Sequence, residues 1–175
     1  MIHAYLVNPQ GEVVASAYFN SEPDQAEDGY RWVIAEPMQG QLRYENGRIV
    51  REQTLEELKQ AKLQELDAAA QAVITGGFVS EALGSPHLYS SQLEDQINLL
   101  GAVLAGVDLD YVCTDAAGVK AARRHTAAQI RKVYEDGLAH KATHIYRYHQ
   151  LAAQVQQADS PEALQSISWL SEESG

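Results

Sequence analysis

His140 and His144 stand four residues apart in a segment of helical periodicity, and Asp136 precedes His140 by the same interval. On a helix that spacing sets all three side chains along one ridge. Two neutral imidazoles and a carboxylate so placed can hold a divalent metal. The same three residues equally suit a solvated helix face. Set against the apolar seam described below, they fall on or near its outward side, so the expectation is a solvated face with no metal and no cofactor.

Other residue types with chemical reach have plainer readings. Trp32 and Trp169 can act as binding platforms, but large aromatic side chains serve more often as core. Cys113 lies between Val112 and Thr114 in a strand-like run and reads as a small buried hydrophobe. The Gly-x-Ser-x-Gly elbow, the phosphate-binding loop, the His-Glu-x-x-His pair and the dinucleotide glycine fingerprint are all missing. Carboxylates are plentiful, yet their spacing singles out no acid/base pair. The chain is expected not to be an enzyme, with the proviso that catalytic groups meet in space rather than in sequence.

Composition narrows the field further. The 175 residues are 45% hydrophobic and 21% charged, enough apolar material for a core and too much for a disordered tail. A net charge of -11 is the wrong sign for a general nucleic-acid binder. One cysteine excludes an internal disulfide framework and a cysteine-based zinc site. The stretch from Ile97 to Val107 is far shorter than the ~20 apolar residues a membrane-spanning helix needs. The opening MIHAYLVNPQGEVV lacks the features of a secretory signal, so synthesis in a reducing cytoplasm is expected. Residues 77–118 hold six acids and no Lys or Arg, whereas 119–158 hold seven Lys or Arg against two acids. The basic block either pairs with its own acidic neighbours or forms a docking face for an acidic partner.

The elements that must position these residues fall into two groups. Ile2 to Val7 and Glu12 to Phe19 read as strands across the turn Asn8-Pro9-Gln10-Gly11, and Arg31 to Ala35 as a third. Leu42 to Val50 reads as a hairpin around Asn46-Gly47, a pair suited to a type I′ turn. The period then changes. Thr54-Leu55-Glu56-Glu57, Ser91-Gln92-Leu93-Glu94 and Thr126-Ala127-Ala128-Gln129 read as capping boxes. They open a helix to Thr75, a second with Leu93, Ile97, Leu100 and Leu104 on one stripe, and a third to about Gln157. Phe78 to Ser90 and Tyr111 to Arg123 read as hairpins, and Ser160-Pro161 opens a last short helix. The fold class is α+β: residues 1–52 form a small antiparallel β domain, and residues 53–175 a long linking helix and a mainly helical domain with two β-hairpins.

From Gly77 onward the motifs gain a family likeness. Gly77-Phe78-Val79-Ser80-Glu81-Ala82-Leu83-Gly84-Ser85-Pro86-His87-Leu88-Tyr89 is followed by Asp95-Gln96-Ile97-Asn98-Leu99, then by Tyr111 to Gly118 and His125 to Ile130. In that order the blocks resemble a domain of unknown function found in tail and tail-fibre genes of tailed bacteriophages, over roughly residues 54–170. The leading β segment resembles, more loosely, the start of phage tail-fibre assembly proteins. Val119 and Lys120 stand where a common form of the pattern has Trp. The resemblance implies a non-enzymatic structural component of a phage tail, at the fibre or baseplate, made in the host bacterial cytoplasm and ending in the virion tail. It equally admits an assembly chaperone that binds the fibre during trimerisation and stays out of the virion. A third reading is a small hydrolase acting on host glycans. Gly84, Pro86, Asp95, Thr126 and Gln129 read as residues of turns and helix caps, so the resemblance transfers no active site.

One further expectation concerns self-association. Tyr134, Leu138, Lys141, Ile145, Tyr148, Ala152 and Val155 follow a 4-3-4-3-4-3 spacing, a heptad seam on a helix roughly 45 Å long. Tyr146 points elsewhere and is a candidate contact. The seam either packs on Leu58, Leu66, Ala69 and Val73 of the first helix or joins copies of the chain. The resemblance favours a homotrimer with a fibre or baseplate partner, and neither nucleic acid nor membrane insertion is expected.

Overall fold

The computed structural model describes residues 1–170 and divides into two compact units, Met1–Glu57 and Leu58–Gly175. The class is α+β.

In the first unit β1 (Ile2–Val7) lies between β2 (Val13–Phe19) and β3 (Arg31–Ile34), antiparallel to both. The turn after β1 is set by Asn8, whose Oδ1 accepts from the backbone N–H of Gln10 and Glu12 at 3.0 and 2.8 Å. Glu12, expected to begin the second strand, instead bridges to Arg43. A separate ladder joins β4 (Leu42–Glu45) to β5 (Arg48–Arg51). Asn46 and Gly47 between them have φ of 48° and 85°, the positive angles of the expected type I′ turn. Tyr5, Val7 and Ile49 form the core, with Val13, Val33, Leu42 and Tyr44 packed against it. Trp32 meets Phe19 edge to face at 4.9 Å.

Helix α1 (Leu55–Thr75) starts at a reciprocal cap. Thr54 Oγ1 accepts from Glu57 N–H at 3.2 Å, and Glu57 accepts from Thr54 N–H at 2.8 Å. The second unit continues with β6 (Phe78–Ser80), β7 (His87–Tyr89), α2 (Leu93–Ala105), β8 (Leu109–Thr114), β9 (Lys120–His125), α3 (Ala127–Gln157) and α4 (Pro161–Ser166). The two expected hairpins are joined: β7 pairs with β8 through Leu88 and Thr114, giving one four-stranded antiparallel sheet. Phe78, Tyr89, Leu99, Cys113, Ile130 and Val133 form the core. Cys113 is free and buried within it.

The cap of α2 sits one residue later than expected. Gln92 is the capping residue and Asp95 closes the box, accepting from Gln92 N–H at 3.0 Å. Ser91 is buried and does other work: its hydroxyl accepts from Gly77 N–H at 3.1 Å and donates to the carbonyl of Ile74. It thereby pins the end of α1 to the first strand of the sheet. Thr126 and Gln129 cap α3 as expected, with bonds of 3.2 and 2.8 Å.

Candidate functional site

Helix α3 faces its own unit along a line that is not the expected seam. Ile130, Val133, Leu151 and Val155 are its buried residues. Between them the inner turns carry Gly137, His140, His144 and Arg147, at continuous spacings of three and four. Gly137 lies against the Phe78 ring. His140 reaches the carbonyl of Val73 on α1 with Nε2 at 3.2 Å. The two imidazoles meet edge to face, with centroids 4.5 Å apart. Arg147 lies over the Trp169 ring at 5.1 Å and donates to the Trp169 carbonyl.

The outward placement expected for His140 and His144 is therefore corrected. Both are half-buried on the inward side, and the expectation failed because it was measured against a seam that is not the buried one. Asp136 does not join them. Its carboxylate accepts from Ser80 Oγ at 2.7 Å and Lys132 Nζ at 2.5 Å. Burial pushes the Asp136 carboxyl up, but these two donors outweigh it and hold it below the ordinary range. Among the described residues no group of three or more His, Cys, Asp and Glu could hold a metal ion.

The seam residues from Tyr134 to Ala152 lie roughly a quarter turn around the helix from that inner line, and Val155 lies on it. Val155 is buried, whereas Tyr134, Lys141, Tyr148 and Ala152 are half-buried. Leu138 and Ile145 are exposed, as is Tyr146. Lys141 is tied within the unit, donating to Gln96 Oε1 of α2 at 3.0 Å. On α1, Leu66 is buried as expected, but Ala70 and Ile74 take the buried places expected of Ala69 and Val73, which with Leu58 are half-buried. Lys59 of α1 donates to the Gln156 carbonyl at 2.9 Å, so α1 and α3 are held together at α3's last turn and at His140.

A groove of about 230 Å³ runs between α2 and α3. Phe78 and Leu99 are in its floor, Leu93, Ile97 and Leu100 form one wall, and Tyr134, Leu138 and Lys141 form the other. The two helices run antiparallel: Gln96 bonds to Lys141, while Ala102 and Val103 pack on the cluster that holds Ile130 and Val133. The α2 stripe of Leu93, Ile97, Leu100 and Leu104 points out to solvent. Leu99, Ala102 and Val103 take the core side instead. The signal was present in the sequence, because α2 carries more apolar residues than one buried face requires.

Beneath the groove lies a buried polar pair. His125 Nδ1 donates to the Arg123 carbonyl at 2.7 Å, which leaves Nε2 to accept from Tyr89 Oη at 2.8 Å. Burial pushes the Tyr89 phenol far above its usual value, so it stays a neutral donor. Both residues are closed to solvent. Nearby, Arg123 pairs with Asp115 at 2.6 Å. Together with Arg124–Asp110 and Lys132–Asp136 this ties up three members of the basic block with acidic neighbours.

A family model described as a domain of unknown function, DUF4376, matches residues 57–168. No curated protein and no solved structure matches the chain. The matched span takes in α1 to α4, the groove and the buried pair.

Proposed function

The chain belongs to the DUF4376 family, and from that premise we propose that it is a non-enzymatic structural component of a bacteriophage tail, at the fibre or baseplate. It supports host attachment through protein–protein contacts. The observation that carries this reading is the ordered series of blocks from Gly77 to Ile130, which resembles domains in phage tail genes and falls inside the matched span.

The roles of those block residues support it. Asp95, Thr126 and Gln129 serve as helix caps, Tyr89 and His125 as a buried brace, and Asp115 as the anchor of the β8–β9 turn. Such residues specify a shape, and shape is what an assembly component presents. The groove adds apolar walls without convergent acid and base. Mass spectrometry of purified particles tests the proposal: the protein is expected in washed virions at a fixed ratio to the fibre, and its absence from them refutes a structural role.

An assembly chaperone that binds the fibre during trimerisation is the second reading. The small separate β unit favours it, since a compact sheet of this size offers a surface for a transient partner. Co-expression separates the two. A fibre that trimerises and stays soluble without this protein rules out the chaperone.

A further inference from the structure

Helix α2 presents an apolar face that no described residue of its own unit covers. Leu93, Ile97, Leu100 and Leu104 are 70, 61, 41 and 78% exposed, and across the groove Leu138 is 48% exposed. Taking about 180 Å² for a fully exposed Leu or Ile, these five residues present roughly 540 Å² of apolar surface. The largest patch on an ordinary monomer is about 300–600 Å². One side of a standard interface buries about 800 Å², of which about 65% is apolar in homodimers. The face therefore supplies the apolar area that one half of a stable dimer needs.

Two details point to a second copy as the occupant. From Ile97 to Val107 the chain has no charged residue, and Lys141, which lines the groove, is tied to Gln96, so the face offers little of the charge pattern that selects an unlike partner. Gly101 stands in the middle of the exposed side, and a Cβ built there would meet nothing within 4 Å. Among the described residues no contact calls for glycine, which weakens a helix relative to alanine. Close approach by another helix does call for it.

We infer that this face pairs two copies of the chain about a two-fold axis. The same surface holds a ridge, the α2 stripe, and a groove, the 230 Å³ space between α2 and α3. An isologous contact needs both, because each copy's ridge enters the other's groove. The antiparallel α2 and α3 of two copies then complete a four-helix bundle. Leu138 contributes to it from the groove's outer wall. The inference is independent of the proposed tail role.

Sedimentation velocity on the full chain, from about 5 to about 200 µM, is the test, with a micromolar dimer expected. Ile97→Asp is expected to raise Kd at least about 100-fold while the far-UV spectrum is unchanged, because the side chain is exposed in the subunit. Leu104→Lys, which places a cation at the helix C-terminus, is expected to do the same and serves if Ile97→Asp loses its fold. Gly101→Leu is expected to raise Kd about tenfold or more, and Val119→Asp, exposed on the β8–β9 turn, to leave it unchanged. A chain that stays monomeric throughout, a trimer, or a dimer indifferent to both Ile97→Asp and Leu104→Lys overturns the inference.

Discussion

Gly137 of α3 faces the ring of Phe78 so closely that a Cβ built on the glycine would stand 2.8 Å from the ring's Cζ. Phe78 is in the core and its ring also stacks on Tyr89, with centroids 5.8 Å apart, so the ring has little room to retreat. Gly137 is thus the contact that lets α3 lie down on the sheet.

Two glycine substitutions are accordingly expected to act with opposite sign. Gly137→Ala gains about 1 kcal/mol in helix propensity but forces overpacking that costs about 1–3 kcal/mol, for a net loss. Gly101→Ala, in open space on α2, is expected to stabilise the dilute subunit by about 0.5–1 kcal/mol. Urea unfolding of both variants at low concentration checks the pair. A stabilised Gly137→Ala contradicts the close packing on Phe78.

Tyr89→Phe probes the buried brace. It removes one hydroxyl from the core and leaves His125 Nε2, in a fully buried ring, without its donor. An unsatisfied buried acceptor costs about 1–3 kcal/mol. The expected loss is of that size in chemical denaturation, with little change in the denaturant slope. A neutral result means that the hydroxyl is not His125's partner.

Local signals in the sequence carried much of this architecture, and tertiary packing decided the rest. Asn46-Gly47, Thr54 with Glu57, and Thr126 with Gln129 act through bonds a few residues apart, so their types and spacing suffice to place them. At Ser91 local reasoning slipped by one residue, because that hydroxyl is taken by Gly77 and Ile74 across the fold. The buried face of α3 differs from the expected one for a related reason. Counting apolar residues selects Tyr134, Leu138 and Ile145, yet the inner turns are Gly137, His140, His144 and Arg147. The glycine fits because Phe78 fills its space, and the polar residues fit because Val73 and Trp169 offer them carbonyls or a ring. None of those partners lies near in sequence.

Acid is expected to weaken the start of α1 through Glu57. Its carboxylate takes two bonds from Arg51, at 2.7 and 3.1 Å, and one from Thr54 N–H. The bond from Arg51, then that from Thr54, lower its pKa from 4.5 to about 2. A carboxyl depressed in the folded state binds fewer protons than in the unfolded chain. Its contribution is complete above pH 4.5 and is lost as pH falls towards about 2. Carboxyl NMR is expected to show Glu57 titrating at the bottom of that window. A midpoint near 4.5 would mean that the Arg51 pair does not persist in solution.

His144 sets a second pH dependence, nearer neutrality. Burial lowers its pKa below 6.5, and the charges of His140 and Arg147 lower it further. Its Nδ1 is buried without a hydrogen-bond partner among the described residues, and the groups around it are His140, Arg147 and the Trp169 ring. Burial and the neighbouring His140 and Arg147 oppose a further positive charge there. The unfolded chain therefore holds more protons than the folded one between the two pKa values, and stability rises with pH across that window. It is complete above 6.5, falls as the unfolded imidazole charges, and levels off below the folded pKa. His144→Phe keeps a ring against Trp169 and removes the titration. Melting temperatures taken from about pH 8 to about pH 5 are expected to fall with acid in the parent and to fall less in His144→Phe. Equal slopes in the two proteins would place the neutral-range dependence on some other group.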